Sequence, residues 1–100
     1  MKLMAIARPR PGIDAPREIA KHASEELQHL WGMYADGVVR EMYSPGGPGV
    51  VLVLEVVSAD AARAALSELP LVANEIVELE VLELRPFVAF QMLVSDGARS

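Results

Sequence analysis

The chain contains no cysteine. That absence removes disulfide staples, thiolate nucleophiles and Cys-based metal sites, and it suits a reducing compartment. Basic residues are also scarce. Nine Lys and Arg face fourteen Asp and Glu, for a net charge of −5, and they form no stripe that could track a phosphate backbone, which argues against nucleic-acid binding. Aromatic residues make up only 5% of the chain, so its apolar content is mostly aliphatic. No run approaches the roughly 20 apolar residues needed to span a bilayer. The opening "MKLMAIARPRPG" lacks the longer apolar core and cleavage site of a secretory leader. A cytoplasmic location with no membrane association is the expectation.

What is present is a 100-residue chain with 52% hydrophobic and 23% charged residues, the size and balance of one compact domain. Its mean hydropathy is positive. In so short a chain this implies apolar surface buried between subunits, hence a homodimer or higher homo-oligomer.

Local patterns set the element order. Lys2 to Arg8 reads as a strand before the breaker cluster "RPRPGIDAP". Pro16 fits the first turn of a helix capped by Asp14 or Ala15, and Ile19, Ala23, Leu27, Leu30 and Tyr34 form a stripe along Arg17–Tyr34. Gly37 is the expected left-handed cap. "VVREMY" and "VVLVLEVV" are strands joined by the hairpin loop "SPGGPG". Ser58 caps a second helix that ends at Pro70, and "EIVELEVLEL" is the fourth strand, with a bulge suggested by Val81 and Leu82.

The order β-α-β-β-α-β is the ferredoxin-like arrangement, an α+β fold with a four-stranded antiparallel sheet and two helices on one face. Strand three is apolar on both sides, so the second face should be covered by another subunit's sheet. Residues 1–94 read as a single domain. The apolar Phe87, Val88, Phe90, Met92, Leu93 and Val94 should pack on a neighbour or close a sheet edge, with 95–100 a frayed tail.

The stretch "LSELPLVANEIVELEVLEL", following "LEVVSAD", resembles muconolactone isomerase and its relatives among the dimeric α/β-barrel proteins. The matching features are a strand ending in an acid and then Ser (Glu55, Ser58), a short helix, the turn Leu69-Pro70-Leu71, and a last strand leading to Arg85-Pro86. The resemblance aligns Arg40 with the Arg of a Trp-Arg pair, with Val39 at the Trp position, and places Arg85 at the family's His. It implies paired sheets, possible larger rings and cofactor-free isomerisation of a small unsaturated lactone or organic acid.

Glu55, alone among aliphatic neighbours in "VVLVLEVV", is the leading catalytic candidate. Burial would raise its pKa and suit a proton shuttle beside a carbonyl. The competing reading is a partnered structural acid, because buried charges are usually paired. Strand register decides: if the leucines pack under the helices, Glu55 points into the sheet–sheet interface, and if the valines do, it points into a pocket beneath helix one. Arg40 would hold a carboxylate or enolate oxygen and His22 would assist. Trp31 and Tyr34 are candidates for a ligand pocket or for core filling.

His22, Glu26, His29 and Met33 share one helix flank, where two His and a Glu could bind zinc or act as a base, with plain surface placement the simplest reading. Glu75, Glu78, Glu80 and Glu83 do not all share a face and read as a solvated edge or as inter-subunit salt bridges. No cofactor or metal is called for. The expected partners are a small-molecule ligand and further copies of the chain. Two alternatives stay open: a cofactor-free monooxygenase of the same barrel type, and a non-catalytic ligand-binding or structural module.

Overall fold

A computed structural model describes residues 1–99. Eight elements follow in order: β1 (Lys2–Pro9), α1 (Ala15–Ala35), β2 (Val39–Tyr43), β3 (Val50–Glu55), α2 (Ala59–Leu66), α3 (Pro70–Ala73), β4 (Val77–Leu84) and α4 (Ala89–Arg99). Helix α1 starts where its cap demands, with the Asp14 carboxylate accepting the Arg17 N–H and proline in the first turn. It stops at Asp36–Gly37, where glycine adopts φ 79°. Ser58 caps α2 by accepting the Ala61 N–H at 3.0 Å.

The strands form one antiparallel sheet in the order β2-β3-β1-β4. This is the ferredoxin-like arrangement expected from the element order. Leu3 and Ala5 of β1, Leu52 and Leu54 of β3, and Val39 of β2 are buried with Leu30, Ala62, Leu66 and Leu69. Each fully buried leucine contributes about 1.5–3 kcal/mol. The opposite face carries Met4, Ile6, Val51 and Val53, none of them beneath a helix.

Two details differ from the sequence expectations, and the tail adds a helix. Pro70 does not end α2; that helix stops at Leu66, and Pro70 opens the short helix α3 after an extended Leu69. Strand β4 runs in step with β1, pairing Ala5 with Val81 and Met4 with Leu82, so these two residues lie on opposite faces without a bulge. The register break lies instead in β2, between Val39 and Glu41. The apolar tail forms α4, with Phe87, Phe90, Met92 and Leu93 exposed. The radius of gyration, 16.9 Å, exceeds the roughly 13 Å of a compact chain this long, as an outlying helix requires. Ser100 of the expected frayed tail lies outside the described residues.

Candidate functional site

A cavity of about 260 Å³ lies between α1, α3 and the helix-covered face of the sheet. Small residues make the room. Ala5 and Ala7 on β1, Ala23 on α1 and Gly49 before β3 stand where larger side chains would fill the space. Gly49 cannot readily be replaced: its φ is 120°, and a Cβ there would lie 2.1 Å from the Ala7 carbonyl oxygen. Ile19, Leu30, Leu52, Leu69, Val72 and Leu79 supply apolar walls.

Glu26 is the exception in this lining. It is 7% exposed and the one buried charged residue among those described. Its Oε1 accepts the Leu71 N–H at 3.0 Å, which ties α1 to the first turn of α3. Burial pushes its carboxyl above the usual 4.5, opposed by the Leu71 hydrogen bond and by the nearby His29 and His22. A carboxyl held in this way can exchange a proton closer to neutral pH than an exposed one.

The sequence stripe explains why Glu26 is inside. Ile19, Ala23, Glu26 and Leu30 recur at spacings of four, three and four, so Glu26 occupies a core position of α1. Leu27, assigned to the stripe from sequence, is 65% exposed at the cavity rim. An acid at a stripe position was the signal that could have identified this residue.

Glu55 occupies different surroundings. Leu52 and Leu54 pack under the helices, so Glu55 faces the open side of the sheet, outside the cavity. Its Oε2 accepts from the Met1 ammonium at 2.8 Å, and its side chain is 40% exposed. That hydrogen bond holds its carboxyl below the usual range, correcting the expectation that burial would raise it. Arg40 lies near enough to act in the same direction, but its Nε donates to the Gly37 carbonyl at 2.7 Å.

His22 is half-buried one turn before Glu26 and does not line the cavity. His29 belongs to a separate shallow depression with Asp36 and Glu68. Among the described residues no three His, Asp or Glu side chains converge as a metal site. Trp31 and Tyr34 lie outside the cavity as an exposed ring pair with centroids 5.9 Å apart. Arg8, Arg10 and Arg85 reach Glu80, Glu78 and Glu83 at 3.8, 3.6 and 3.1 Å, so all three acids of β4 form ion pairs, while Glu75 lies before the strand.

Muconolactone isomerase, in its crystal structure, superposes with a TM-score of 0.70 at 21% identity, over 87% of this chain and 93% of that one. The chain has the muconolactone isomerase-like fold. A second solved structure, the 5-chloro-2-hydroxyhydroquinone dehydrochlorinase TftG from Burkholderia phenoliruptrix AC1100 in complex with 2,5-dihydroxybenzoquinone, gives a TM-score of 0.67 at 16% identity, over 85% of this chain and 94% of that one. No protein-family model and no curated protein sequence matches the chain. The ferredoxin-like resemblance drawn from the sequence is thus met in the tertiary fold. Among the described residues no helix is long and apolar enough to cross a membrane.

Proposed function

We propose that the chain is a cofactor-free isomerase of a small unsaturated lactone or related carbonyl compound, with Glu26 as the proton shuttle. The observation that carries this reading is the placement of one carboxyl, raised in pKa by burial, in an otherwise apolar cavity. Ionised Glu26 removes a proton from the carbon beside the carbonyl, and the electron pair moves onto the carbonyl oxygen. The protonated acid then returns the proton at another carbon of the conjugated system. The Leu71 N–H holds Oε1 in place throughout. His29 and His22 bias the ionisation of Glu26, and His22, one turn before it, takes the assisting role. Muconolactone isomerase as a fold neighbour supports the reaction class.

The test is Glu26→Gln, which keeps the side chain's size and its acceptor for the Leu71 N–H. Isomerisation of an unsaturated lactone should fall by about 10²–10⁴-fold with the circular dichroism spectrum unchanged. Undiminished turnover would reject the role.

The same reading includes a homodimer paired through the open sheet face. Met4, Ile6, Val51, Val53 and Leu82 make that face apolar, and the exposed apolar α4 segment offers a second surface for association. Sedimentation at micromolar concentration should show no stable monomer, and Ile6→Asp should produce one. A wild-type monomer would remove the paired-sheet assembly.

A further inference from the structure

The cavity's walls define what charge its ligand can carry. Among the described residues no Lys, Arg or His lines it, and Glu26 is its one ionisable group. Other basic side chains are committed elsewhere or stand outside the lining. Lys21 donates to Glu18 at 3.0 Å, Arg10 donates to the Glu75 carbonyl at 2.7 Å, Arg40 donates to the Gly37 carbonyl, and His29 and His22, whose charges reach Glu26, do not line the cavity. A carboxylate brought into this space would lose its hydration, gain no cation and face Glu26 as a like charge. An uncharged carbonyl compound meets none of these costs.

We propose that the Glu26 cavity selects uncharged, apolar carbonyl compounds and rejects carboxylate-bearing lactones. This rests on the cavity being the ligand site. An apolar cavity of about 150 Å³ suffices for a single benzene ring, so about 260 Å³ accommodates a substituted five- or six-membered ring or a small bicycle. The proton balance needs no oxidant or reductant. One C–H bond beside the carbonyl breaks to Glu26, a C–H bond forms at a second carbon, and the double bond moves between them.

Two lactone probes differing in charge test the inference: α-angelica lactone, which is uncharged, and muconolactone, which bears a carboxylate. Titration calorimetry on the full chain should show saturable binding of α-angelica lactone at one per subunit, with muconolactone weaker by roughly tenfold or more. Proton NMR should show shift of the angelica double bond by the wild type. Leu27→Arg places a cation at the exposed rim and should recover at least about tenfold in muconolactone affinity.

Equal or tighter binding of muconolactone to the wild type would overturn the selectivity, as would failure of both probes to bind. Glu26→Gln separates this inference from the catalytic one. The variant removes the like charge, so the preference should narrow while α-angelica lactone stays the tighter ligand. That outcome with lost turnover supports both, and the same outcome with full turnover leaves the ligand class standing and removes Glu26 as the shuttle.

Discussion

Glu26 and Glu55 are both glutamates set among aliphatic residues, and the two faces of one sheet treat them in opposite ways. Glu26 projects from α1 on the covered side, where burial raises its pKa. Glu55 lies on the open side, where the Met1 ammonium lowers it. An acid gains unusual chemistry from what covers it, rather than from its neighbours in the chain.

The strongest break of this comparison is catalytic. Glu26→Gln should reduce lactone turnover by about 10²–10⁴-fold, while Glu55→Gln leaves it within about twofold. Reversed effects would return the shuttle to the open face.

Packing comes next. Leu54→Ala under the helices should cost about 2–5 kcal/mol in chemical denaturation. Ile6→Ala on the open face should cost less, and its effect should depend on protein concentration if that face is paired. Equal, concentration-independent losses would erase the distinction between the faces.

The pH dependence of stability sharpens the contrast further. Glu26 has a raised folded pKa, so its contribution is whole below the unfolded value near 4.5 and is lost as pH rises through the folded one. Glu26→Gln should therefore raise the Tm at neutral pH, with the gain fading as pH falls to 4.5. A gain that persists unchanged in acid would mean that Glu26 titrates normally. The smallest effect belongs to Glu55, whose lowered pKa stabilises above the unfolded value and loses that effect as pH falls through the folded one. Its exposure screens the pair, so Glu55→Gln should leave the neutral-pH Tm unchanged within error.

Much of the fold was legible because its signals are local. Asp14 and Pro16 start α1, Gly37 ends it, "SPGGPG" makes the hairpin and Ser58 caps α2. Short helix α3 carries no signal of its own, because Pro70 both follows one helix and begins the next, and its cap is Leu69, which has no side-chain acceptor. The Glu26 site was only half legible. Its helical position and its flanking histidines are visible in the sequence, but Glu26 and Leu27 are adjacent candidates for the same stripe, and periodicity alone favours the apolar one.

By itself the sequence determined the order of the four strands and the two main helices, the turns between them and the ferredoxin-like fold, since caps, breakers and periodicity act over a few residues. Only the tertiary structure decided which face of β3 the helices cover, and so which carboxyl is buried. Leu52 and Leu54 turn inward together, Glu55 must then turn outward, and the small residues of β1, α1 and the hairpin leave Glu26 the cavity. That outcome depends on packing among segments distant in the chain.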